Sequence, residues 1–266
     1  MKLWQRIIKY LALLLAGLIV ASAVYGAVSL VTLLTGAIFP KSAPAAVSRD
    51  FEAQTVISSL DVDVAGGLTV KVDGAATKVR VSTLDPQLTF AEQNGVLTVK
   101  RVMSFPNLRE IGKTVIYLPS GSVDALKINA GAGELSLDGL TARELSLDLG
   151  AGSAKLTSVN VTEKTVIDGG AGKLELTGVE LANATIDLGV GKCTFFGVLS
   201  GENVIDCGVG SVDIRLAGKA GDYDVESEDG LFGAELTPLK GGPNKIRIEG
   251  GVGRVSVKMA DEAENG

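Results

Sequence analysis

The sequence predicts an all-β protein, a β-solenoid or β-helix-like stack of two-strand coils preceded by one N-terminal transmembrane helix. Three observations carry that expectation. A Gly-X-Gly triplet recurs through the second half of the chain, at Gly131, Gly150, Gly170, Gly189, Gly208 and Gly251. Apolar and polar residues alternate with period two on both sides of it, the pattern of strands with one buried face. The 30 residues from Tyr10 to Phe39 contain no charge.

Residues 1–40 read as a cytoplasmic stub and signal anchor. As helix the uncharged run would extend about 45 Å, against roughly 20 residues needed to cross a bilayer. Lys2, Arg6 and Lys9 precede it while Lys41 and Arg49 follow, a bias that favours a cytoplasmic N-terminus and an extracytoplasmic β domain. The alternative is a cleaved signal peptide, because Ala21-Ser22-Ala23 has the small-residue form of a cleavage site. Residues 41–50, "KSAPAAVSRD", read as a linker.

Residues 51–120 read as a strand-rich lead-in that caps the solenoid. "LDVDVAGGLTVKV" and "GVLTVKRV" alternate strictly. Asn94-Gly95 between two alternating runs is a hairpin signal, since a type I′ turn needs positive φ at both central positions. Residues 121–258 read as the regular repeats. Successive triplets begin 19, 20, 19 and 19 residues apart, and a degraded copy at Gly230 to Gly233 would lengthen the last two intervals to about 22 and 21. A fixed period of this kind marks stacked coils, none of which can bury its inner face alone. Leu135, Ala154, Leu174, Cys193 and Val212 fall at one inward position, and Ile128, Leu147, Ile167, Ile186, Ile205 and Ile248 at another. Apolar parity breaks at each triplet, so the glycines are expected to turn a corner. Residues 259–266 read as a disordered acidic tail.

Composition excludes several classes of function. There is no histidine, which removes the commonest general base and zinc ligand. Beyond residue 41 the chain holds 21 of the 25 basic residues against all 31 acidic ones, a net −10 that repels nucleic acid. Two cysteines make no disulfide framework; Cys193 and Cys207 both fall at inward positions. "NVT" at Asn160 and "NAT" at Asn183 match the glycosylation pattern.

The candidate site residues are the acids two positions before each triplet: Asp148, Asp168, Asp187 and Asp206, with Asn129 and Glu249 at the matching places. Stacked coils would hold them about 4.8 Å apart. One reading has each side chain accept a hydrogen bond from a backbone N–H of its corner. The other has the carboxylates hold Ca2+ as a cation ladder. No other cofactor is expected, and no residue is singled out as catalytic.

The basic-flanked apolar N-terminus, the lead-in and the "LSLDLGAGSAKLTSV"-type repeats together resemble the bacterial "putative adhesin" family of β-strand-repeat proteins. That family is also called the toastrack domain, a domain of unknown function. The resemblance covers roughly residues 50 to 258 and implies a right-handed β-solenoid outside the cytoplasmic membrane, in a membrane-anchored member. It supplies no catalytic residues. Three classes of function follow: a non-enzymatic, membrane-tethered module for adhesion or cell-envelope interaction, an envelope-stress sensor or scaffold, and a β-helix polysaccharide-active enzyme. The expected partners are the membrane through the N-terminal helix, cell-wall polymer, an envelope protein, or a second copy of the chain.

Overall fold

The computed structural model describes residues 48–102, 112–227 and 234–260. The expected membrane span, most of the linker, the degraded triplet and residues 261–266 lie outside the described residues. Among those described, no helix is long and apolar enough to cross a membrane.

The lead-in holds seven strands: β1 (Arg49–Glu52), β2 (Ser59–Val64), β3 (Leu68–Val72), β4 (Arg80–Thr83), β5 (Leu88–Gln93), β6 (Val96–Arg101) and β7 (Thr114–Leu118). The repeats follow as β8 (Ser122–Asp138), β9 (Thr141–Thr157), β10 (Asn160–Asp168), β11 (Ala171–Ala182), β12 (Ala184–Ser200) and β13 (Glu202–Leu216). A 3-10 turn at Ala220–Asp222 leads to β14 (Tyr223–Ser227), β15 (Ala234–Leu236) and β16 (Asn244–Met259). All sixteen join one sheet. From β8 to β13 each coil pairs in parallel with the next, like residue on like.

Strands continue through most of the triplets instead of ending there. β8, β9 and β12 each run 17 residues across a Gly-X-Gly, and the ladder skips the first glycine and resumes at the residue after it. Only Gly169-Gly170, with one extra residue, separates β10 from β11. The coil also has a third, short side. After the corner and a straight run the chain bends at Gly139, Ser158 and Gly178, with φ of 67°, 53° and 62°. Val123, Ala142, Val161, Leu181 and Leu199 then stack as another buried column. Two strands per coil was therefore an underestimate, because a run of two to four paired residues leaves little alternation to read.

The inward columns follow the expected positions. Ile128, Leu147, Ile167, Ile186, Ile205 and Ile248 are register partners and all buried. So are Leu135, Ala154, Leu174, Cys193, Val212 and Val255. Each buried aliphatic side chain contributes about 1.5–3 kcal/mol of transfer free energy, and no single coil could bury its set without neighbours. Phe195 is buried and Phe196 is exposed, as alternation requires.

Both ends of the array depart from sequence order. At the N-terminal end β2 and β3 pair directly with β8, while β6 and β7 lie on their far side. The lead-in thus contributes a coil in register with the repeats, with Asp63 opposite Asn129. Beyond it the strands turn antiparallel: β5 against β6 through Asn94-Gly95, which have the φ of 50° and 76° that the hairpin signal demands, and β4 against both β7 and β1. Arg49 and Asp50, expected in the linker, belong to β1.

At the C-terminal end the coils do not follow one another in sequence order. Gly210 pairs directly with Gly253, so no coil stands between those two triplets. β16 pairs with β13 on one edge and with β14 and β15 on the other. The chain steps out to build the outer coil, then returns to fill the gap. Met259, expected in a disordered tail, is the last residue of β16 and buried. Tyr223 anchors the outer coil, fully buried with its hydroxyl donating to the Ala217 carbonyl at 2.6 Å.

Candidate functional site

The Gly-X-Gly corner is built by backbone packed on backbone. Its third glycine is at positive φ in all six triplets, from 140° at Gly133 to 157° at Gly253, a region that side-chain-bearing residues rarely enter. A Cβ at Gly191 would also run into the Gly172 carbonyl oxygen one coil away, and Gly152, Gly172, Gly210 and Gly253 repeat that contact. Both constraints act at one position, so only glycine serves.

Three outward columns follow from this corner. On its upstream flank Asp63, Asn129, Asp148, Asp168, Asp187, Asp206 and Glu249 are register partners in that order. At the apex stand Ala132, Ala151, Ala171, Val190, Val209 and Val252. On the downstream flank come Glu134, Ser153, Lys173, Lys192, Ser211 and Arg254. The acid column thus unites the predicted Asp148, Asp168, Asp187 and Asp206, and Asp63 extends it by one coil. The "LDVDVAGG" alternation could have revealed Asp63, but the irregular spacing of the lead-in hid its register.

The carboxylates stack without converging. Among the described residues no group of three or more His, Cys, Asp or Glu side chains is placed to hold a metal ion. Turn capping is seen at one position, where the Gly170 N–H donates to Asp168 Oδ1 at 3.4 Å. It is the coil with the extra glycine, which leaves a corner N–H turned toward the acid. In the next coil the Val190 N–H donates instead to the Gly170 carbonyl, at 2.9 Å. Burial, and then the neighbouring Asp206 and Asp168, hold the Asp187 carboxyl above the ordinary carboxylate range. Glu175, beside the basic column, lies below that range chiefly through its hydrogen bond from Lys173.

The other end of the later coils is held by Asn183, Asn203 and Asn244, a role the sequence did not disclose. Asn203 is 2% exposed and interrupts an aliphatic column. Its Oδ1 accepts from the Ala184 N–H at 2.9 Å, and its Nδ2 reaches the carbonyls of Lys245, Gly201 and Ser200 at 3.1, 3.3 and 3.4 Å. Asn183 donates to the Glu163 carbonyl at 2.8 Å and accepts from the Glu202 N–H at 3.2 Å. Its amide therefore ties three coils together. Asn244 accepts from the Gly201 N–H at 3.1 Å.

The outer faces carry shallow concavities. One of about 390 Å³ crosses β13, β16 and β14, with Glu202, Asp224, Glu226, Lys245 and Arg247 around it. Another of about 340 Å³ lies beside Phe196, with Asp213 and Arg215 3.8 Å apart at its rim. Cys193 is buried within the stack, so its thiol faces no solvent-filled site.

The fold and its corner columns define a parallel β-strand-repeat body with a structural, side-chain-poor turn. A family model described as Toastrack DUF4097 matches residues 57–239, and the chain belongs to that family. Comparison with curated proteins gives no match. Among solved structures, the chain is similar to a "putative cell adhesion protein" from Clostridium sporogenes, with 11% identity, TM-score 0.36, and coverage of 80% of this chain and 100% of that one. It is similar also to a "putative adhesin" from Bacteroides fragilis, with 15% identity, TM-score 0.36, and coverage of 80% and 96%. A "putative lipid binding protein" from Parabacteroides distasonis gives 11% identity, TM-score 0.34, and coverage of 81% and 95%.

Proposed function

We propose that this is a non-enzymatic, membrane-tethered module of the bacterial cell envelope, its β domain outside the cytoplasmic membrane and used for adhesion or for contact with an envelope component. The observation that carries this reading is the outward register itself. Side chains of one kind recur on successive coils at about 4.8 Å, which gives an extended partner the same contact many times over. The uncharged run from Tyr10 to Phe39, with its basic residues upstream, supports the tether and its orientation.

Protease treatment of intact spheroplasts tests the topology. Digestion of residues 50 to 266 is expected, with the anchor protected; a fully protected β domain contradicts the placement. Co-sedimentation of the full chain, in liposomes, with cell-wall sacculi and with envelope membranes tests the role. Saturable binding to either supports it, and release of new reducing ends from wall or acidic glycans would contradict the non-enzymatic reading.

A further inference from the structure

The apex of the glycine corner carries a pattern that turning alone does not require. The flanking glycines make the turn; the residue between them only faces water, where a polar side chain would serve. Yet all six apex residues are apolar and exposed. Val190, Val209 and Val252 are 56%, 50% and 58% exposed on adjacent coils. With glycine on both sides of each, the ridge stands clear of other side chains.

Over the last four of the six coils the upstream flank of this ridge is acidic and the downstream flank basic or neutral, whereas in the first two coils Asn129 and Asp148 stand upstream and Glu134 and Ser153 downstream. Three residues before the apex stand Asp168, Asp187, Asp206 and Glu249, and two residues after it Lys173, Lys192, Ser211 and Arg254. Because the chain turns at the apex, acids and bases lie on opposite sides of it. Among the described residues, Asp148, Asp168, Asp187 and Asp206 have no Lys or Arg within ion-pair distance, and Lys192 and Arg254 have no carboxylate. Lys173 pairs with Glu175, and Glu249 lies 3.9 Å from Arg247.

We propose that this ridge binds a second copy of the chain, the two stacks lying side by side and pointing the same way, related by a two-fold axis parallel to the stack. That axis sets each apex against the same apex and the acid flank of one copy against the basic flank of the other. Asp187 then faces Lys192 of the second copy, Asp168 faces Lys173, and Glu249 faces Arg254. A two-fold axis perpendicular to the stack sets acid against acid instead, a repulsion of about 1 kcal/mol per pair at 4 Å in water. The charge pattern therefore selects one orientation. It also supplies Asp187 with a counter-charge that its own chain withholds.

Six coils make a ridge about 24 Å long, so the contact covers far less than the roughly 800 Å² per partner of a standard interface. Association is weak in dilute solution, and covalent capture reads it better than mass does. The inference stands apart from the adhesion reading, since it needs neither a wall ligand nor a membrane.

The test uses the full chain with Val190→Cys or Val252→Cys, each made with two different affinity tags and mildly oxidised, against the parent chain as background. Like-with-like disulfides, V190C with V190C and V252C with V252C, are expected at about tenfold or more over the parent, because matched apices fall within the Cα limit of about 7 Å. V190C mixed with V252C stays at background, since two coils of offset add about 9.6 Å. Mixed-site dimers exceeding like-with-like dimers, or no dimer above background, overturns the proposal. In the V190C chain, Asp187→Lys alone and Lys192→Asp alone each lower the yield several-fold, and the double exchange restores it. A double exchange as poor as the singles, with an unchanged unfolding midpoint, overturns the charge pairing and the orientation with it.

Discussion

Two corners of the same coil solve one problem differently. At the Gly-X-Gly corner, backbone packs on backbone, with a side chain joining in at Asp168, which accepts from the Gly170 N–H. At the far corner the closure is made by side chains: Asn183 ties Glu163 to Glu202, and Asn203 ties Ala184 to Lys245. The first device needs the same residue in every coil, because each glycine leaves room for the next. The second needs only one suitable hydrogen-bonding group at a time, so its residues vary from coil to coil. The contrast is between a corner held by the absence of atoms and one held by particular atoms.

Gly191→Ala breaks the first corner hardest. It brings a Cβ against the Gly172 carbonyl and forces alanine to φ 156°. A loss of about 4 kcal/mol or more is expected in denaturant unfolding, at the severe end for single substitutions. Asn203→Ala strikes the second corner. Removing its amide strands the buried Ala184 N–H and Lys245 carbonyl, and a loss of about 2–3 kcal/mol follows. Gly139→Ala sharpens the comparison. That glycine also has positive φ, 67°, but nothing lies within 4 Å of the added Cβ, so only the conformational penalty of about 1 kcal/mol remains. If G139A and G191A prove equally damaging in the same assay, close packing is not what fixes the first corner.

The smallest expected effect concerns pH. The folded-state pKa of Asp187 is raised above its unfolded value, first by burial and then by Asp206 and Asp168. Its ionisation therefore opposes folding: the penalty is absent below the unfolded pKa, grows as pH rises through the folded pKa, and is complete above it. Asp187→Asn should raise the unfolding midpoint at neutral pH by a small amount, less than about 1 kcal/mol in free energy after solvent screening. The gain should vanish in acid. A loss of stability at neutral pH with D187N would mean that the carboxylate is held by something favourable.

The regular part of the molecule was legible because its physics is periodic. Ile128, Leu147, Ile167, Ile186, Ile205 and Ile248 reveal a column because each must fill the same space. The glycine triplets reveal a corner because a Cβ on the third glycine meets the backbone of the coil before it. The acid column was legible for the same reason, although of its two expected roles capping is seen, among the described residues, at Asp168 alone. The third side of the coil was not, since runs such as Asn160–Val161 are too short to show a period. Nor was the order of the coils at the C-terminal end. The alternation of "NKIRIEGGVGRVSVKM" states that β16 is a buried strand, but not that it enters between β13 and β14. Asn203 was hidden because one buried amide in an aliphatic column breaks the pattern instead of making one.

The central claim is that parallel coils stack in register, with the last strand returning between β13 and the outer coil. Spin labels at Ala132 and Val252 in the full chain, diluted with unlabelled protein, measure it directly. The account predicts five coil steps between those apices, a separation of about 24 Å. A distance of about 29 Å, the six steps of a stack wound in strict sequence order, would contradict the returning strand, and a broad distribution would contradict the register altogether.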